Sequence, residues 1–200
     1  MKTLESVDGL VISQKKEWGE ILSGFETRNR YAVLDSRGNS LYSALEEGGS
    51  WLVRSFLKAL RPFEIFVRTP DERLVIRIHR PFRFFFYEAS VYDAEGRCLG
   101  TIKRKFSLLR RIYDVIEEGG EDGLQLFGPI LHPWTFTIRQ GESEYGTITK
   151  KWSGLLKEGF TDADNFGVTF PVDWSVERKA LFLGAVFLID FAHFENKNNN

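Results

Sequence analysis

Along most of the chain, apolar and polar residues alternate in short runs closed by Gly, Asp, Asn or Pro. A period of two is what a half-buried strand requires, because successive side chains point to opposite faces. Tyr31–Leu34 and Leu41–Leu45 flank Asp35-Ser-Arg-Gly-Asn39, which predicts a hairpin with Gly38 in its tight turn. Arg61–Arg68 and Leu74–Ile78 flank Thr69-Pro-Asp-Glu72, a second hairpin with Pro70 at a turn position. Further strands are expected at Phe84–Tyr92, Cys98–Phe106, Arg111–Ile116, Leu124–Phe127, Thr135–Ile138, Tyr145–Lys150 and Phe166–Val172. Residues 1–28 mix the periods, and LVISQKKEWGEIL fits a short strand or a helix equally.

The pattern breaks at Ala180–Phe194, ALFLGAVFLIDFAHF, which is apolar on every side apart from Asp190. A helix of that kind must be buried, in lipid or in protein. At about 1.5 Å per residue it reaches only about 22 Å, short of the roughly 30 Å core of a bilayer. Many short antiparallel strands and one wholly apolar helix have an economical common solution, a sheet curled around the helix. The expected fold is therefore mainly β, with Leu181, Phe182, Leu183, Val186, Phe187 and Ile189 as core positions on the central helix. Asp190 then needs a partner near the mouth of the barrel. Deleting residues 176–200 should destroy folding.

Two hundred residues suffice for one domain, expected over 1–195, with 196–200 as a polar tail. Net charge is −1, but it is unevenly placed. From Arg73 to Arg111 there are ten Arg or Lys against Glu88, Asp93 and Glu95, whereas Asp114 to Asp122 carries five acids and no base. This asymmetry suits one face to an anionic partner. Arg77, Arg80, Arg83, Lys103, Arg104, Lys105, Arg110 and Arg111 are the candidates for contacting anionic phospholipid headgroups, each worth about 1 kcal/mol near an acidic membrane. The competing reading is an ordinary solvated β surface. No nucleic-acid recognition motif accompanies the patch, and the sequence does not specify an oligomeric state. Phe84–Tyr87 reads as a strand buried on both faces, or as a segment inserted at a membrane interface.

The sole cysteine, Cys98, excludes an internal disulfide framework and a cysteine-based zinc site, and fits a reducing compartment. The N-terminus lacks an uninterrupted apolar signal-like segment, so the expected location is the cytoplasm or the cytoplasmic face of a membrane. There is no phosphate-binding glycine loop, HExxH or nucleophile elbow. His79, His132 and His193 are scattered. His132-Pro133 reads as a turn, while pairing with Asp190 and the helix dipole account for His193. Covalent catalysis is not expected.

Several segments, in order, resemble the phospholipid scramblase family. They are Gly24–Tyr31 (GFETRNRY) with the following DSRG, Leu41–Glu47 (LYSALEE), Arg61–Phe63, His79–Arg83 (HRPFR) and Gly146–Trp152 (GTITKKW). The last and most specific is Lys150–Glu195, with TDADNFG and FLIDF. The resemblance implies a tubby-like fold, a closed antiparallel barrel of about twelve strands threaded by the C-terminal helix. It also implies membrane association and calcium-triggered, bidirectional movement of phospholipids between leaflets. The alternative function is a module that binds anionic lipid, phosphoinositide or phosphatidylserine, and moves none. Two features depart from the animal members. Phe84-Phe-Phe-Tyr87 stands where they carry an acylated cysteine cluster, and their proline-rich N-terminal extension has no counterpart here.

The family's calcium segment falls on Asp162–Asp173. Against an EF-hand loop, Asp162, Asp164 and Asp173 take the first, third and last positions, and Gly167 the turn. Phe166 and Phe170 occupy positions that need polar residues, and no helix–loop–helix surrounds them. The alternation Phe166, Val168, Phe170, Val172 has strand period, which separates Asp164 from Asp173 by about 30 Å at roughly 3.3 Å per residue. Turn roles, and a helix N-cap at Asp173 or Ser175, are the favoured reading, with a weak Ca2+ site at Asp162 and Asp164 as the residual expectation.

Overall fold

The alternating runs become twelve strands, and the apolar segment becomes a helix. In order they are β1 (Gly9–Lys15), β2 (Arg30–Asp35), β3 (Ser40–Glu47), β4 (Phe63–Arg68), β5 (Leu74–Arg80) and β6 (Glu88–Asp93). β7 (Cys98–Lys105), β8 (Arg110–Glu117), β9 (Leu124–Pro129), β10 (Thr135–Gln140), β11 (Ser143–Lys150), β12 (Asn165–Thr169) and α1 (Val176–His193) follow. This computed structural model describes residues 1–15, 29–47, 62–82, 87–120, 123–129, 131, 134–150 and 165–193. Each strand pairs antiparallel with the next, and β1 pairs with β12, Leu10 opposite Val168, to close the barrel. The segment 9–15, ambiguous from its pattern, is therefore a strand, and it forms the closing seam. The last strand ends at Thr169, before Pro171, so Val172 leaves the alternation and is 54% exposed.

A barrel's diameter grows with strand number, and twelve strands enclose more space than their own side chains fill. The helix occupies that space. Leu181, Phe182, Leu183, Val186, Phe187 and Ile189 are fully buried inside. α1 lies nearest β6, β7 and β8. Gly184 permits this approach, because a Cβ there would meet Val91 Cγ2 at 2.6 Å. Further along the helix, large rings fill the space to the barrel wall. Phe187 meets Tyr31 edge-on at 5.0 Å, and Phe191 stacks on Phe63 at 4.3 Å between centroids. Ser175 Oγ accepts the Arg178 N–H at 3.1 Å, so Ser175, and not Asp173, supplies the N-cap. Among the described residues no helix is long and apolar enough to cross a membrane.

Up-and-down topology sends alternate connections to opposite ends. The hairpins β2–β3, β4–β5, β6–β7, β8–β9 and β10–β11 all turn at one end, hereafter the turn end. Among the described residues each has one left-handed residue: Gly38, Glu72, Gly96, Gly119 or Gly141. In two of them an Asp accepts backbone N–H groups across the turn, Asp35 from Arg37 and Asn39 and Asp93 from Glu95 and Arg97. The other strand-to-strand connections, Phe106–Leu109 among them, and the C-terminus of α1 belong to the opposite end, hereafter the loop end.

Candidate functional site

The two ends differ chemically. At the turn end Asp71, Glu72, Glu95, Glu118, Glu142 and Glu144 are exposed, and Arg73 and Arg97 pair with Asp71 and Asp93. The loop end carries exposed apolar side chains on three successive links: Phe82, then Phe106, Leu108 and Leu109, then Leu131 and Trp134. Phe106, Leu108, Leu109 and Leu131 are each at least 76% exposed. Such residues are costly to leave in water when clustered, and clustered ones mark contact surfaces. Sequence alone offered a signal here that the strand pattern hid. In Lys105-Phe-Ser-Leu-Leu-Arg110, four residues between two strands include three large apolar ones bracketed by cations.

Strand alternation divides the candidate basic residues into two sets. Arg77, Lys103, Lys105 and Arg110 point outward. Three of them meet acids: Arg77 with Glu64 at 3.2 Å, Lys103 with Glu88 at 3.7 Å and Lys105 with Asp114 at 2.9 Å. Arg110 lies over the Phe127 ring. Half-exposed pairs of this kind contribute about 0–1 kcal/mol each and leave little net field. Arg104 and Arg111 instead sit on the inward-facing register at the mouth, beside Tyr113 and the half-buried Tyr87. Arg80 goes further inside and has no exposed surface, so it does not belong to an outer headgroup-contacting face. Arg83 and Phe84–Phe86 lie outside the described residues, as do His132 and Pro133.

The inward set is held by rings. The guanidinium groups of Arg80 and Arg104 lie 4.7 and 5.1 Å from the Tyr87 centroid, and that of Arg111 lies 4.6 Å from the Phe136 centroid. Arg80 and Arg104 are thus no more than about 10 Å apart, a repulsion of roughly 2 kcal/mol at an effective dielectric of about 20. The far side of the mouth has the opposite character. Gln14 donates to Asn29 at 3.0 Å, Asn29 donates to the buried Glu46 at 2.8 Å, and Tyr31 Oη donates to Asp190 at 3.2 Å. Tyr31 is the partner that Asp190 required.

His193 closes the last turn of α1 with Nε2 at 2.7 Å from Tyr113 Oη. Burial, and then the charges of Arg111 and Arg104, hold its pKa down from 6.5 to about 3, while burial pushes the Tyr113 phenol up. The folded protein therefore keeps His193 neutral where the unfolded chain protonates it. Its contribution to stability is complete above pH 6.5 and is lost as pH falls toward 3. Between pH 7 and pH 5 the expected loss is about 2 kcal/mol. Urea unfolding at both pH values is expected to show wild type losing that much more than His193→Gln, and parallel losses would overturn this assignment.

Among the described residues no three His, Cys, Asp or Glu side chains gather as a metal site. Asp162 and Asp164 lie outside the described residues. Asp173 is exposed at the turn end, separated by the whole of β12 from Asn165 at the loop end.

A family model described as Scramblase matches residues 1–196. Phospholipid scramblase 1 of Mus musculus is 33% identical over 213 residues, taking in 100% of this chain and 65% of the mouse protein. Phospholipid scramblase 2 of Bos taurus is 34% identical over 209 residues, with 98% and 71% coverage. Phospholipid scramblase family member 5 of Homo sapiens is 30% identical over 211 residues, with 98% and 77% coverage. The chain spans 65% and 63% of the length of the mouse and rat phospholipid scramblase 1 proteins. No solved structure matches it. A full-length family match, on a closed barrel built around its C-terminal helix, means that this chain belongs to the phospholipid scramblase family.

Proposed function

We propose that the protein docks its loop end on an anionic membrane surface and facilitates movement of phospholipids between leaflets. The observation that carries this reading is the coincidence, at the loop end, of the most exposed apolar tips among the described residues with inward-facing arginines, while exposed acids gather at the other end. Insertion of Phe106, Leu108, Leu109 and Leu131 contributes about 1.5 kcal/mol each even at the low end of side-chain burial. Arg104 and Arg110 add about 1 kcal/mol each near anionic lipid. Together these reach about 8 kcal/mol, the scale of micromolar partitioning. The acidic turn end is repelled, which fixes the orientation. Calcium enters this reading as a weak ligand of Asp162 and Asp164 that triggers the movement.

A second reading, an anionic-lipid-binding regulatory module that transports nothing, is favoured by one observation. α1 is enclosed by its own barrel, which leaves no helical path through a bilayer. One experiment separates the readings: vesicle sedimentation together with dithionite quenching of a labelled lipid, with and without calcium. Wild type is expected to sediment and to expose the inner-leaflet label. Leu108→Asp/Leu109→Asp is expected to do neither. Sedimentation without label exposure at any calcium concentration leaves the lipid-binding module standing. Sedimentation unaffected by the double substitution overturns the docking geometry.

A further inference from the structure

We propose that a groove on the outer wall at the turn end, over the seam between β1 and β12, is a binding site for a single-chain amphiphile with a carboxylate head. The site does not depend on membrane docking, because it lies at the opposite end of the barrel from Phe106–Leu109. The groove has a volume of about 530 Å³, within the range of small-molecule sites. Leu10, Val168 and Phe170 belong to the core, so alternation turns Gly9, Val11 and Thr169 outward as the floor. Gly9 keeps that floor low, since a Cβ there would meet the Val168 carbonyl at 2.8 Å. Val11 lies at the bottom, 2% exposed, and Pro171 continues the apolar lining past the end of β12.

The two ends of the groove differ in chemistry. Arg37, in the β2–β3 turn, stands at one end and is exposed. Among the described residues its guanidinium has no hydrogen-bond or salt-bridge partner. Asp35 directs its carboxylate into the turn instead, accepting from the Arg37 and Asn39 N–H groups and from Asn39 Nδ2. Tyr145 stands at the other end. It is the extra residue of a β-bulge, between Glu144 opposite Arg139 and Gly146 opposite Ile138. Bulges re-aim side chains, and here the ring rests on Trp174, 5.7 Å between centroids.

A ligand class follows from this arrangement. The planar guanidinium fork pairs with the two oxygens of a carboxylate. Asp8 lines the same groove and accepts a hydrogen bond from Ser36 at 3.3 Å, so a second negative charge on the head would be repelled. From β2 across β1 and β12 to β11 there are three strand spacings, roughly 14 Å at about 4.8 Å each. With bonds of about 1.5 Å, an extended chain of about ten to twelve carbons covers that distance. Such a chain lies across β1 and β12, so its binding clamps the seam that closes the barrel.

The test is calorimetry on the full chain in vesicle-free buffer, with hexanoate, octanoate, decanoate and dodecanoate as probes. Affinity is expected to rise about fourfold for each added methylene, and to level off between decanoate and dodecanoate, where the chain reaches Tyr145. Decanol, which has the chain but no charge, should bind at least tenfold more weakly than decanoate. So should decyl phosphate in its dianionic form, which faces Asp8. Arg37→Gln should weaken decanoate at least tenfold and leave decanol unchanged, whereas damage to the fold would move both. Tyr145→Ala should weaken dodecanoate more than hexanoate. Leu108→Asp/Leu109→Asp, at the far end of the barrel, should leave every alkanoate affinity as in wild type. Hydrogen exchange with saturating decanoate should show slower opening across the β1–β12 pairing than without it, and little change in the β4–β5 hairpin. Equal affinity of wild type for decanoate and decanol, or no heat from any of the carboxylates, overturns the site. Decanoate binding that survives Arg37→Gln but falls with Leu108→Asp/Leu109→Asp belongs to the loop end and overturns it as well.

Discussion

Deletion of residues 176–200 is expected to yield a chain that does not fold. The segment removed includes Leu181, Phe182, Leu183, Val186, Phe187, Leu188, Ile189 and Phe191, all essentially without exposed surface. Complete burial of such side chains is worth about 1.5–3 kcal/mol each, so their sum of about 12–24 kcal/mol is as large as or larger than the roughly 5–15 kcal/mol by which a domain is stable. The loss does not end there, because the inward residues of every strand would then line a water-filled lumen. A membrane anchor behaves in the opposite way, since its removal releases an intact soluble body. The distinguishing measurement is the truncated chain's near-ultraviolet dichroism and its unfolding transition in urea. Cooperative unfolding of a soluble truncated barrel would overturn the assignment of α1 as core.

That burial was legible in the sequence, as were the hairpins. An apolar run too short for a bilayer, in a chain otherwise full of strands, has few places to go, and Asp35-Ser-Arg-Gly announces a turn through local geometry alone. Strand number came from the family resemblance, because nothing local to Leu10 announces Val168 as its partner across the seam. The basic residues mark the limit most clearly. Lys103, Arg104 and Lys105 are adjacent and read as one patch, yet a period of two sends the middle one to the mouth and its neighbours to the outer wall. Parity was available from the sequence, but which parity faces inward depends on the whole barrel. Arg80 was misassigned for that reason. Ile76 and Ile78 share its face, and an arginine following them belongs with them. The exposed loop tips were missed for another. A strand predicted through Phe106 absorbs the apolar residue that the structure releases into the link after Lys105.

Lys179→Met is expected to destabilise the protein by about 3–5 kcal/mol, although the substitution nearly preserves volume and removes no surface charge. Lys179 is fully buried in α1 near its N-terminus, where the helix dipole disfavours a cation and burial lowers its pKa. Three carbonyls compensate: Nζ donates to Leu4 at 2.9 Å, Glu5 at 3.0 Å and Val172 at 2.7 Å. Those are all the donors an ammonium has. Methionine takes the donor from the Glu5 and Val172 carbonyls and leaves Leu4 with only the long Val7 N–H contact at 3.4 Å, at about 1–3 kcal/mol for each lost donor, which at this chain length lowers the melting temperature by roughly 10–15 °C. Lys179→Arg is not expected to rescue, because a planar fork does not meet three carbonyls converging on one point. The location makes the effect more than local. Leu4 and Glu5 lead into β1 and Val172 follows β12, so one ammonium ties the helix to both strands of the closing seam. Hydrogen exchange should therefore report accelerated opening across the β1–β12 pairing in Lys179→Met, ahead of the β4–β5 hairpin. Uniform acceleration across all strands would mean that the seam and the helix are not coupled through this residue, and a loss below about 1 kcal/mol would mean that water satisfies the three carbonyls equally well.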